Sequence, residues 1–381
     1  MTSRSAPPDP SSPLEVFGVA LRLGLTSFGG PIAHLGYFRS EYVVRRRWLD
    51  EATYAEIVAL CQSLPGPTSS EVGIAIGLLR AGPLGAFVSW LGFTLPSAVL
   101  MVVFAYTLDH LGGALVPVVR VLELVATVVV AFAVWRMARA LAWEVRRAAI
   151  ALGATALALA WHDQYVQVAI ILLAGLVGRL VLPAVVISAR VPHPVPIGRR
   201  VALACGALYL TLLLLLPLAR VTLASGGVAL FDSFYRSGAF VFGGGHVVLP
   251  LLQTEVVPPG WVSQEQFVAG YGAAQAVPGP LFTFAAYLGA AIAPFPSYND
   301  PSAIVDLFAV WPPSGVAGAA IALVGIFLPA FLVVFAALPS WGALRARPWA
   351  QSALAGVNAG VVGLLLAALI GLVMSAIASL R

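Results

Sequence analysis

The chain contains no lysine; all 21 of its basic residues are arginine, a bias of residue usage to which no role is assigned. Charge of either sign is scarce. Only 10% of residues are charged, against about a quarter in soluble domains, which excludes a water-soluble globular protein and a nucleic-acid surface. Cysteine is nearly missing: Cys61 and Cys205 stand alone, without a CxxC pair or companion histidines, so neither a metal site nor a disulfide is expected. There is no P-loop, no HExxH and no GxGxxG between a strand and a helix. The run Gly243-Gly244-Gly245 is a weak phosphate-cradle match lying in an apolar segment. No cofactor and no enzymatic activity are therefore expected.

What is present is apolar. Hydrophobic residues make up 60% of the 381, and such runs need a bilayer rather than a water-facing partner. The first thirteen residues are polar and Pro/Ser-rich, without the basic region and cleavage site of a secretory signal, so the first apolar segment is expected to stay as a membrane element.

The most informative stretch runs from Ser27 to Arg80. It holds a Gly29-Gly30-Pro31 break, the basic run Arg45-Arg46-Arg47 and a second break, Pro65-Gly66-Pro67. The second break separates apolar segments of about a dozen residues, Ala52–Leu64 and Thr68–Leu79, too short to cross a bilayer singly. Interrupted helices at membrane depth are tolerated where they are buried in protein or line a cavity. A helix start exposed there offers N–H groups and positive dipole to an anion.

The stretch recurs. Phe28-Gly29-Gly30 returns as Phe242-Gly243-Gly244, 214 residues on; Trp48 returns as Trp261 and Gln62-x-x-Pro65-Gly66-Pro67 as Gln275-x-x-Pro278-Gly279-Pro280, 213 on. Gly92-Phe93-Thr94-Leu95-Pro96 matches Gly325-Ile326-Phe327-Leu328-Pro329 after a further shift of about twenty, which places an insertion near 298–313. Paired interrupted segments in two halves point to a transporter with its site at the repeat interface.

The expected architecture is an all-α polytopic membrane protein of two homologous halves with broken, re-entrant helical hairpins. It comprises a polar tail (1–13), a first repeat with additional helices (14–185), a Pro/Arg-rich linker with a connecting helix (186–226) and a second repeat (227–381). Leu14 to Tyr37 reads as a first, interrupted membrane segment, and the whole chain as nine or ten crossings plus two broken hairpins. The loops at Arg45–Arg47, Arg136–Arg147 and Arg190–Arg200 are expected on the cytoplasmic side. The second copy's Gln253–Gln264 loop has no arginine, while Arg345 and Arg347 stand where the first copy has Asp109 and His110. Charge placement thus favours inverted halves; helix counting comes out even and favours parallel ones. Inverted halves are the expectation adopted.

Arg22 and Arg236 each lie six residues before a Phe-Gly-Gly motif. An intramembrane charge usually faces a cavity or a partner, and two guanidinium forks suit a tetrahedral oxyanion; snorkelling, or pairing with Glu15 or Asp232, is the structural alternative. At the breaks, the donors following Pro-Gly-Pro are the second candidates. The first continues Thr68-Ser69-Ser70-Glu71, rich in donors, and the second Leu281-Phe282-Thr283-Phe284. Gln62, Gln275 and Ser63 can orient an anion or simply bond between helices. Candidates for ion coupling are Glu71, His34, His246 and Glu123, with a helix-start role the rival for Glu71 and a salt bridge to Arg120 the rival for Glu123.

At FGGPIAHLGYFR, RRRWLDEATYAEIVALCQSLPGP, VGIAIGLLRAG and FTLP the sequence resembles the chromate ion transporter family in its long, two-domain form, over essentially the whole chain. The matching residues are Phe28, Gly29, Gly30, Pro31, His34, Trp48, Gln62, Pro65, Gly66, Pro67, Gly73 and Gly77, with Phe242, Gly243, Gly244, Gln275, Pro278, Gly279 and Pro280 in the second half. The resemblance implies an inner-membrane carrier that expels chromate, with sulfate as a related oxyanion, driven by protons or by sulfate exchange, and conferring chromate resistance. The partners expected are the oxyanion and the lipid bilayer; a homodimer is compatible with this, and nucleic acid is not. A carrier for sulfate or another oxyanion, and a passive anion channel, are the alternatives.

Overall fold

The computed structural model describes residues 11–111, 142–161, 164–183, 195–241, 248–293, 311–341 and 347–379, with isolated positions between 131 and 139. Helix is the only regular structure among them.

Helix α1 (Pro13–Thr26) starts cleanly: Ser12 Oγ accepts from the Glu15 N–H at 3.2 Å and proline occupies the first turn. At about 1.5 Å per residue such a helix reaches the middle of a bilayer but not its far side. The chain then reverses, because Gly29 (φ 89°) and Gly30 (φ 75°) are both left-handed, a conformation that glycine adopts without strain. Helix α2 (Gly30–Phe38), extended by a π-helical stretch (Arg39–Arg45), leads back. Arg46 closes the loop on Glu15 near the start of α1, at 2.9 Å. The interrupted segment expected to be a crossing is therefore a hairpin that enters and leaves by one face.

A second hairpin follows. Asp50 caps α3 (Glu51–Ser63), its Oδ1 accepting from the Thr53 N–H at 2.7 Å. Pro65-Gly66-Pro67 turns the chain, and the first part of α4 (Thr68–Leu111) runs back. Its return is fixed by three contacts: the Ser11 N–H donates to the Arg80 carbonyl (3.1 Å), Arg80 Nη2 donates to Ser11 Oγ (2.9 Å), and the Arg80 guanidinium lies over Trp48 (5.3 Å), which follows the first hairpin. At Ala81-Gly82 the backbone leaves helical geometry and α4 folds on itself. Gly77 and Gly85 meet backbone to backbone, and Ser89 Oγ donates to the Gly73 carbonyl at 2.8 Å. From Pro83 onward α4 is long and apolar enough to cross a membrane.

Helices α5 (Val145–Ala160) and α6 (Gln164–Val181) form a hairpin against α13 (Pro348–Ser379), with Gly178 on Gly356 and Thr155 Oγ1 donating to the Gly363 carbonyl at 2.9 Å. Helix α7 (Arg199–Leu223) presents Leu203, Leu214 and Leu218 outward, as a lipid-facing span does. The second half then repeats the first. Helix α8 (Gly226–Ala239) enters, α9 (Val248–Val256) returns, α10 (Gln264–Ala276) enters, and a 3₁₀ turn (Leu281–Thr283) with α11 (Phe284–Ala290) returns. Helix α12 (Gly315–Ala337) crosses.

The correspondence extends to single contacts. Gly24 packs on the backbone of Phe93 and Gly238 on that of Ile326; Gly92 packs on Phe17 and Gly325 on Phe231. These are the same contacts at the repeat offsets. The Ala293 N–H donates to the Trp261 carbonyl (2.8 Å) and Trp311 Nε1 to the Ala293 carbonyl (2.7 Å), while Gly226 packs on the Trp311 carbonyl. Start of α8, end of α11 and Trp261 thus meet as Ser11, Arg80 and Trp48 do.

The halves are inverted. Trp90, early in the crossing part of α4, stacks edge-on with Phe327 and Phe331 late in α12 (both 5.6 Å). Phe104, late in α4, meets Tyr287 (5.7 Å), and Tyr106 packs at Gly315 where α12 begins. Equivalent helices running antiparallel require an axis across them. Helix counting misled because the Leu14–Tyr37 segment, read as a crossing, is a hairpin; among the described residues two hairpins precede the crossing helix in each half. Among the described residues four helices are long and apolar enough to span.

Arg46 and Arg80 both lie over Trp48 (5.3 Å each), at the end of the first two hairpins that positive-inside reasoning assigns to the cytoplasm. Arg146 Nη1 donates to the Val181 carbonyl (3.0 Å), and Arg179 lies over Trp349 (5.6 Å). In a background lacking Cys61 and Cys205, single cysteines at Arg47 and Pro259 are expected to react with a membrane-impermeant maleimide from opposite sides. Labelling from one side would rule out the inversion.

Candidate functional site

The two Pro-Gly-Pro breaks meet at the interface of the halves, and each is completed by the other half. The Gly66 N–H donates to the Val241 carbonyl at 2.6 Å, and the Gly279 N–H donates to the Ser27 carbonyl at 2.9 Å. Ser27 and Val241 are repeat equivalents, each just before a Phe-Gly-Gly motif. Both glycines have positive φ (148° and 104°). Each is also backed by the opposite half's crossing helix: Gly66 by Ala330 and Gly279 by Ser97, which again are equivalents.

At the first break Glu71 is the first residue of α4 to find a helical acceptor, donating to the Pro67 carbonyl at 3.0 Å. The N–H groups of Thr68, Ser69 and Ser70 are the orphan donors of a helix start, and all three side chains are buried. Ser70 Oγ and both Glu71 oxygens have no hydrogen-bond partner among the described residues. At the second break the groups left in this condition are Ser27 Oγ, both ring nitrogens of His34, Thr94 Oγ1 and Gln275 Nε2. His34 is 1% exposed, lies beside Ser27 and meets Phe93 edge-on at 5.4 Å. Buried polar atoms are nearly always paired. They gather around two breaks at the interface of the halves, which makes this the candidate site.

The breaks are unequal. Repeat counterparts of Glu71, His34 and Ser97 are Phe284, Val248 and Ala330, so the first half contributes most of the polar groups. Thr283 Oγ1 donates to the Pro280 carbonyl at 2.8 Å, and Phe282 and Phe284 are fully buried.

The two arginines paired in sequence lie in unlike surroundings. Arg236 is 7% exposed and sits in a closed ionic network: Nε and Nη2 each reach Asp232 at 2.9 Å, and Nη1 reaches Glu255 Oε1 at 3.1 Å. Arg220 Nη1 joins through Ser233 Oγ (3.0 Å), which donates to Glu255 Oε2 (2.6 Å). Two positive charges meet two negative ones there. Arg22 is on the exposed face of α1 and makes no ion pair among the described residues. Gln62 is exposed and Gln275 half-buried beside Tyr271; Ser63 Oγ donates to the Ala59 carbonyl in its own helix at 2.8 Å. Gly29 and Gly30 form the tip of the first hairpin, while Gly243, Gly244, His246 and Glu123 lie outside the described residues.

Ser27, Thr94, Ser97 and Val241 were not singled out from sequence. Their signal was available: each lies within or next to a repeated motif. Glu255 likewise stands 214 residues after Glu41, which is buried and paired with Arg46 at 2.8 Å.

Compared with known proteins, residues 14–179 and 228–380 match the family profile described as chromate transporter. A chromate transport protein of Pseudomonas aeruginosa is 27% identical over 96% of this chain and 82% of its own. A probable chromate transport protein of Synechococcus elongatus is 27% identical over 92% and 82%. An uncharacterized transporter of Methanocaldococcus jannaschii is 24% identical over 93% and 83%. No solved structure matches the chain.

Proposed function

Because the chain belongs to the chromate transporter family, we propose that it is a secondary carrier, not an enzyme, that exports chromate through the cytoplasmic membrane and so confers resistance to it. Sulfate, of the same shape and charge, is expected to compete. The observation that carries this reading is the reciprocal bonding of the two breaks, Gly66 to Val241 and Gly279 to Ser27. It sets helix starts and unmet polar groups at the seam between inverted halves, where alternating access needs its substrate. A dianion there takes hydrogen bonds from the N–H groups of Thr68, Ser69 and Ser70, aided by the helix dipole, with Ser27, His34, Thr94 and Gln275 as further donors. Arg22 contributes long-range positive charge. Arg236, neutralised by its acidic neighbours, holds the hairpin that carries Val241.

The test is radiolabelled chromate flux in everted vesicles, where export is read as uptake. Energised accumulation that excess sulfate suppresses is expected. Arg22→Gln is expected to lower uptake severalfold, as the loss of a long-range charge rather than of a direct contact. Pro65→Ala should abolish it. Flux that never accumulates against a gradient would make the protein a channel, and wild-type uptake by Arg22→Gln would remove that residue from the anion's path.

A further inference from the structure

The group left unexplained by anion binding is the carboxyl of Glu71, which carries the same sign as the substrate. It is fully buried, and neither oxygen finds a hydrogen-bond partner among the described residues. Its Oε1 fills the space that a Cβ on Gly66 would take, so it lies at the break itself, beside the donors of Thr68, Ser69 and Ser70. The titratable groups facing it are Cys61 from α3 and Tyr209 from α7. The Tyr209 hydroxyl is committed to the Ala239 carbonyl at 2.9 Å. The same space at Gly66 is bounded from α12 by the apolar Ala330, and the Gly66 N–H is already bonded to the Val241 carbonyl. No guanidinium pairs with it among the described residues.

An ionised carboxylate in such a place is costly, and beside a dianion it is costlier. A protonated one is not, and its O–H becomes a donor to the oxyanion. Resting on the carrier reading above, we propose that Glu71 binds the proton that accompanies the oxyanion: substrate occupies the first break only with Glu71 protonated, so anion and proton are taken up as a unit. The other break has Phe284 in the corresponding place, packed against Phe267 at 5.1 Å. The carrier therefore holds one such proton. The balance is simple: one proton moves from solvent to a Glu71 oxygen as one dianion binds, and no bond to the anion is made or broken.

Binding is tested with purified full-length protein and selenate, a tetrahedral dianion that stays ionised where chromate itself takes up a proton. Selenate affinity is expected to fall about tenfold per pH unit on the alkaline side of the carboxyl's titration, the slope of one linked proton, with one proton absorbed per anion as read by a pH dye. Glu71→Gln, permanently neutral, should bind independently of pH and absorb none, while Glu71→Asp keeps both. Wild-type binding that ignores pH, or a pH slope that persists in Glu71→Gln, overturns the proposal. Should Glu71→Gln fail to fold, proton uptake by the wild type and its retention in Glu71→Asp decide, absence of uptake being fatal. Failure of the carrier reading is separate: it would appear as no binding of chromate or selenate by wild type at any pH.

Discussion

Gly238→Leu is expected to abolish chromate transport and to remove most of the folded protein. At this position α8 and α12 touch through their backbones, and a Cβ would run into the carbonyl of Ile326. Overpacking in cores where side chains can yield costs about 1–3 kcal/mol; here the neighbour is a peptide group that cannot rotate away, so the cost exceeds that range. Gly24→Leu should do the same in the first half, against the carbonyl of Phe93. The control is Gly18→Leu, on the same helix as Gly24 but with nothing within 4 Å of its missing Cβ. It should fold and transport normally. Size-exclusion profiles of solubilised protein and vesicle flux measure both properties. If Gly238→Leu behaves like Gly18→Leu, the close crossing does not exist in the membrane.

The second large effect concerns the buried ionic network. Arg236→Gln leaves Asp232 and Glu255 facing Arg220 alone, whose guanidinium is 3.6 Å from each and about a third exposed. Removing one partner of a buried pair costs about 3–5 kcal/mol, enough to empty the folded state of a marginal protein. Adding Asp232→Asn restores the charge count, and the double variant is expected to recover most of the thermal stability and flux of wild type. That recovery separates two roles for Arg236. A residue that holds α8 to α9 is rescued by rebalancing. One that grips the anion is not: the double variant would fold well yet bind chromate poorly.

Much of this was legible in the residues. The duplicated Pro-Gly-Pro breaks, the paired Phe-Gly-Gly motifs and the scarcity of charge were enough for an all-helical membrane protein of two homologous halves. The reversal at Gly29-Gly30 was seen as an interruption but not as a turn, because a hydropathy run does not reveal that two successive residues adopt positive φ. That error propagated into the helix count and set it against the arginine placement, which was the sounder guide since it depends on ends rather than on lengths. The matched arginines were misleading for another reason. Equal spacing from a motif fixes a place along a helix, whereas partners depend on what the other helices bring. Asp232 and Glu255 surround Arg236, and no described residue does so for Arg22. The polar atoms of Ser27 and Thr94 became informative only once burial showed them unmet.

The exchange of hydrogen bonds between the two breaks also bears on how the protein is made. When Gly66 enters the bilayer its acceptor has not been synthesised; Val241 emerges 175 residues later, a delay of roughly 10–35 s at ordinary rates of translation. During that interval the nascent N-terminal repeat holds an unmet donor at membrane depth. It is an incomplete object that the insertion machinery or a chaperone must shelter. A fragment that ends in the 186–226 linker keeps that donor unmet, because the acceptor lies in the second repeat.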